Sequence, residues 1–128
     1  MYAAGAQHAL RKACQGALQR AVDSGTVLVT DSEVLQEILY RYFSTRKPHL
    51  AQAVYRAAVD LCREVYPVRE SDTAQALELL LKKPDLSPRD AVHVATMRSA
   101  GIRRILSTDR HFDGLEGIER IDPARFPI

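Results

Sequence analysis

The sequence predicts an α/β fold, a small and mostly parallel sheet covered by helices, and three features carry that prediction. Helical and extended segments alternate along the chain. The extended segments are short, apolar and rich in β-branched residues. The helices carry their own start and stop signals.

The first helix shows in Ala9, Leu10, Ala13, Cys14, Ala17, Leu18, Ala21 and Val22, which recur at helical spacing and stop at Asp23-Ser24-Gly25. Thr26–Thr30 then reads as a buried strand. Thr30-x-x-Glu33 has capping-box form, with Asp31 adding negative charge, and opens a helix whose apolar face is Val34, Leu35, Ile38, Leu39, Tyr42 and Phe43. Pro48 starts another helix, with Leu50, Ala51, Val54, Ala57, Ala58, Leu61 and Cys62 inward. Val65–Val68 reads as a strand in which Pro67 demands an edge or a strand end. Ser71 caps a helix through Leu81. Ser87-Pro88-Arg89-Asp90 supplies a cap, a first-turn proline and an acid for a helix that ends at Ala100-Gly101. Arg104–Ser107 reads as a strand, Thr108-Asp109 as the start of a short helical turn, and Gly114–Ile121 as the site of a last strand.

At 128 residues the chain has the size of one domain, and the expected organisation is a single domain over residues 1–128. A hydrophobic fraction of 46% is enough for a packed core and too high for a disordered chain. No apolar run has membrane-spanning length, and Met1-Tyr2-Ala3-Ala4-Gly5-Ala6 lacks the basic and apolar regions of a signal peptide, so a cytoplasmic protein is expected. The two cysteines, Cys14 and Cys62, lie on apolar stripes with no zinc spacing and read as buried free thiols. A formal charge of +2 permits nucleic-acid binding without arguing for it.

Ligands of open parallel sheets bind beyond the carboxyl ends of the strands, and three acids fall near that edge. Asp109 follows the strand ending at Ser107, Asp90 lies in the first turn of its helix, and Glu37 sits beside Val34 at the border of an apolar stripe. Converging carboxylates repel unless a cation neutralises them, and oxygen donors without histidine or cysteine favour Mg²⁺ or Mn²⁺. Such ions suit phosphodiester hydrolysis. Each acid also has a purely structural role open to it: Glu37 paired with Arg41 at i,i+4, Asp90 complementing the helix dipole, Asp109 in a turn or cap. Asp31 and Asp113 read as cap and turn residues. His93 shares a helix face with Asp90 and reads as a packing histidine or a contact near the site; His111 lies close to Asp109. Arg89 and Arg110, each next to a candidate ligand, are the expected phosphate contacts.

Leu86-Ser87-Pro88-Arg89-Asp90-Ala91-Val92-His93-Val94-Ala95 and Ile105-Leu106-Ser107-Thr108-Asp109-Arg110-His111-Phe112-Asp113 resemble the segments that carry the third and fourth acids of PIN-domain ribonucleases of the VapC toxin type. Val29 to Leu39 resembles the segment of the second acid and puts it at Glu37. The resemblance covers nearly the whole chain. It implies a three-layer α/β/α fold and a Mg²⁺- or Mn²⁺-dependent endoribonuclease with RNA as substrate, held inactive by an antitoxin and commonly a homodimer. It implies Glu37, Asp90 and Asp109 as metal ligands, Asp113 as an accessory acid and Thr108 as a hydrogen-bonding residue near the site. The family's first strand, with its aspartate, has no counterpart here, so the expectation is an N-terminally truncated domain: a start set downstream of the true one, or a catalytically impaired remnant that binds only antitoxin or RNA. A DNA-binding domain using Ser87–Ala100 as a recognition helix is a third reading, opposed by the apolar character and acidic start of that helix.

Overall fold

The computed structural model describes residues 8–126, with side chains from residue 12 onward. The expectations for Met1–Ala6 and for the side chains of Ala9 and Leu10 lie outside the described residues. The chain folds as two compact units, Leu28–Gly101 and a second built from the two flanking segments. Among the described residues, no helix is long and apolar enough to cross a membrane.

In the central unit, β1 (Val29–Asp31) is followed by α2 (Ser32–Ser44), α3 (Pro48–Leu61), β2 (Glu64–Tyr66), α4 (Glu70–Lys82) and α5 (Pro88–Ala100). β1 and β2 are parallel, with Val29 opposite Glu64, Thr30 opposite Val65 and Asp31 opposite Tyr66. The strand begins later than the expected Thr26, and Val27 is exposed. Pro67, just past β2, has no N–H and closes the ladder at its carboxyl end, after Asp31 and Tyr66. The helix start differs too: Asp31, the last residue of the strand, and not Thr30 is the cap, its side chain accepting from the Val34 N–H at 3.0 Å.

α2 packs on α3, and α4 on α5. Ile38, Val94, Ala91, Ala95, Ala76, Ala51 and Tyr42 are buried. Leu39, Phe43 and Leu50, expected inward, are exposed. The α4 start is also displaced: Ser71 lies inside the first turn, and Asp72 reaches back to the Arg69 N–H at 2.9 Å. Asp72 is fully buried and also accepts from the Ser99 hydroxyl of α5 at 2.6 Å, so one carboxylate caps α4 and ties it to its neighbour.

α5 matches expectation at both ends. Ser87 accepts from the Asp90 N–H at 3.1 Å, Pro88 occupies the first turn, and Gly101 closes the helix at φ 74°, a conformation that side chains with a Cβ resist. Ser87→Ala is expected to lower stability by about 1 kcal/mol. A fall in the urea midpoint at constant m would report it; an unmoved midpoint would mean the hydroxyl contributes nothing.

The flanking unit contains α1 (His8–Asp23), β3 (Arg104–Leu106), a 3₁₀ turn at Arg110–Phe112, β4 (Glu119–Ile121) and a second 3₁₀ turn at Pro123–Arg125. β3 and β4 are parallel, with Ile105 opposite Arg120. Ala17 and Ala21 of α1 are buried with Phe112, Leu115, Ile121 and Phe126, while Val22 is exposed. Arg20 donates to the carbonyl oxygens of Phe126 and, at 2.8 Å, Pro123, which holds the C-terminal turn to α1. The described strands thus form a parallel pair in each unit, in keeping with the parallel α/β class expected from the alternation.

Candidate metal centre

In the central unit, the carboxyl end of β1 delivers Asp31 to the start of α2, and α2 carries Glu37 almost two turns further on. His93 of α5 bridges the two: Nδ1 lies 2.6 Å from Asp31 Oδ2, and Nε2 lies 3.0 Å from Glu37 Oε1. The side chains are 12% (His93), 8% (Asp31) and 19% (Glu37) exposed, so the bridge is made with little competition from water. Burial opposes the imidazolium, but the hydrogen bonds and charges of Asp31 and Glu37 outweigh it and raise the His93 pKa to about 9. Both ring nitrogens then donate, leaving no lone pair for a metal.

Arg89 reaches the same Glu37 oxygen at 3.3 Å and Glu33 at 3.6 Å. Glu37 therefore pairs across to α5 and not with Arg41 on its own helix. Its Oε1 takes both donors, and no hydrogen bond to Oε2 from the described residues is seen. Arg89, expected to meet phosphate, is half exposed and shared between two glutamates. Asp90 is partly buried in the first turn of α5, where Ser87 makes the cap bond to its N–H.

In the flanking unit, Asp109 lies three residues past the carboxyl end of β3. It caps the Arg110–Phe112 turn, accepting from the His111 N–H at 2.9 Å and meeting the His111 ring nitrogen at 2.9 Å. Ser107, rather than Thr108, makes the local hydrogen bond, accepting from the Asp109 N–H at 3.0 Å. Asp113 meets Arg120 through both oxygens, at 2.7 and 3.4 Å, and that guanidinium holds its carboxyl below the usual range.

The donors in each unit are hard carboxylate oxygens at the carboxyl end of a parallel pair, which fits Mg²⁺ or Mn²⁺ and not zinc. Among the described residues, no three His, Cys, Asp or Glu side chains are grouped to hold an ion. Cys14 and Cys62 are free and half-buried rather than fully buried; burial pushes both thiols up, which makes them poor nucleophiles. The recognition-helix reading of α5 fails on burial, since Ala91, Val94, Ala95 and Thr96 all face inward.

Sequence reading assigned Asp31 to a cap alone and missed its bond to His93. It also missed Arg120, Asp122 and Arg125, which line a cleft beside the Asp109 turn. No local signal marks these partners, because each is brought in by tertiary pairing.

Parallel strand pairs with acids at their carboxyl ends, set among helices, define a PIN-like fold, and residues 1–118 match the family described as PIN domain. The chain belongs to the PIN-domain family. It is 40% identical over 121 residues to VapC ribonuclease Mb1869c of Mycobacterium bovis and, equally, to ribonuclease VapC13 of Mycobacterium tuberculosis, covering 94% of this chain and 92% of each relative. It is 32% identical over 112 residues to ribonuclease VapC23 of Mycobacterium tuberculosis, covering 85% of this chain and 86% of that one. No solved structure matches it.

Proposed function

We propose that this protein is a divalent-metal-dependent endoribonuclease toxin of the VapC type, hydrolysing RNA phosphodiester bonds, with Glu37, Asp90 and Asp109 as its catalytic carboxylates and metal ligands. The observation that carries the reading is the near full-length relationship to the VapC ribonucleases. The geometry supports it through the Glu37 carboxylate, fixed by His93 and Arg89 on one oxygen.

Bound Mg²⁺ or Mn²⁺ supplies an acidified water and charge neutralisation at the scissile phosphate. The chain's own residues do the rest. His93 and Arg89 orient Glu37, Ser107 fixes the backbone of Asp109, and Asp113 anchors Arg120 as an accessory acid. Arg110 meets the RNA phosphates, with Arg89 and Thr108 as further contacts. The reading extends to a cytoplasmic protein neutralised by a cognate antitoxin and acting as a homodimer; exposed Phe43 is available to a dimer surface, whereas Tyr42 is buried and is not.

The test is cleavage of single-stranded RNA by purified protein with Mg²⁺, with Mn²⁺ and with EDTA. Cleavage that requires the ion is expected. A second reading is a non-catalytic module that binds antitoxin or RNA. RNA binding without cleavage at any Mg²⁺ or Mn²⁺ concentration would put it in place of the first.

A further inference from the structure

The 3₁₀ turn after Asp109, strand β4 and the final 3₁₀ turn enclose a cleft of about 310 Å³ lined by Arg110, Arg120, Ile121, Asp122 and Arg125. That volume is at the lower end of pockets that hold a small ligand. The three guanidiniums are not equivalent. Arg120 is locked in place, donating to Asp113 and, at 3.1 Å, to the Ser107 carbonyl oxygen. Arg110 and Arg125 are exposed and make no hydrogen bond or ion pair with the described residues, so their donors are open to an anion. Asp122 accepts from the Ala124 N–H at 3.0 Å through one oxygen and keeps the other open. Ile121 is a buried apolar floor.

We infer that this cleft is a nucleotide subsite for the RNA strand: Arg110 and Arg125 take the phosphate and the open oxygen of Asp122 accepts from a ribose hydroxyl. Guanidiniums are the side chains best matched to phosphate oxygens. The carboxylate argues for RNA over an acidic peptide. Asp122 repels both polyanions, but a peptide of glutamates and aspartates brings no hydroxyl donor to offset this, whereas a ribonucleotide brings the 2′-OH that separates RNA from DNA. Arg110 directly follows Asp109, so a strand seated here runs past that carboxylate. The inference rests on the ribonuclease reading and adds a place where the strand is gripped beside the reacting phosphate.

The experiment is fluorescence anisotropy on the full chain with a labelled single-stranded RNA, the same sequence as DNA, and a glutamate-rich peptide, all in EDTA and over a range of KCl. The variants are the double Arg110→Ala/Arg125→Ala, which touches only exposed side chains, and Asp122→Asn, which keeps the acceptor that caps the last turn. For the double variant, RNA affinity at low salt should fall about tenfold, and the slope of log K against log salt should fall by about 1.4, or 0.7 for each lost phosphate contact. Asp122→Asn should narrow the preference for RNA over DNA. Unchanged affinity and slope in the double variant would overturn the inference. So would tighter binding of the peptide than of RNA, or loss of peptide binding alone in the double variant. The two readings can fail separately. Arginine-dependent RNA binding without metal-dependent cleavage upholds the cleft and sinks the ribonuclease; cleavage with an unchanged salt slope does the reverse.

Discussion

Replacing His93 with alanine is expected to lower the free energy of unfolding by about 3 kcal/mol, because it leaves one buried and one largely buried carboxylate without the cation that joins them. The figure belongs at the low end for a broken buried pair, since Asp31 keeps the Val34 N–H and Glu37 keeps Arg89. The loss should depend on pH in a definite direction. Folding raises the His93 pKa from 6.5 to about 9, so its stabilising contribution is fully present below about pH 6.5 and is lost as pH rises through about 9. That gap corresponds to roughly 3 kcal/mol, which agrees with the mutational figure. Urea unfolding in EDTA at several pH values, wild type against His93→Ala, measures the difference and cancels the titration of groups not coupled to His93. A difference that stays constant from pH 6 to pH 10 would mean that the imidazole only fills space.

The bridge that makes this prediction was invisible in the sequence, and the reason is physical. Signals that act within one turn were legible: Ser87-Pro88 opens α5, Gly101 closes it, and Asp109 caps the turn after β3. Each is a contact between neighbours in the chain, and spacing reports such contacts. His93 and Asp31 are 62 residues apart, and only the packing of α5 on α2 brings them together. The same limit hides the partners of Glu37. Helical spacing offers Arg41 as its partner, a pair worth a few tenths of a kcal/mol, and tertiary packing supplies Arg89 and His93 instead. The strand start displaced from Thr26 to Val29 follows the pairing with β2, which a single segment does not encode. Arg120 enters its cleft because β4 pairs with β3, again a relation between segments. The identity and order of the elements were local properties; the partners of the acids were not.

The largest effect on activity should come from the carboxylates themselves. Glu37→Gln, Asp90→Asn and Asp109→Asn are each expected to reduce Mg²⁺-dependent RNA cleavage by about 100-fold or more, the scale seen when one group that stabilises transition-state charge is removed. The substitutions keep size and an acceptor oxygen. Asp109→Asn can still accept from the His111 N–H, so this variant should unfold near the wild-type midpoint, and Asp90→Asn leaves the Ser87 cap in place. Glu37→Gln also removes a charge from His93 and Arg89, so it should lose stability together with rate. Asp113→Asn should cost less in rate, because Arg120 already holds that carboxylate and the Ser107 carbonyl retains Arg120 when the charge is lost. If the three acids serve one ion, the losses will not add: Asp90→Asn/Asp109→Asn should be about as slow as either single variant, and calorimetric Mn²⁺ binding should weaken in each. Wild-type cleavage by Asp90→Asn would remove Asp90 from the site. Losses that multiply across the three positions would mean that the acids act at separate steps and do not share an ion.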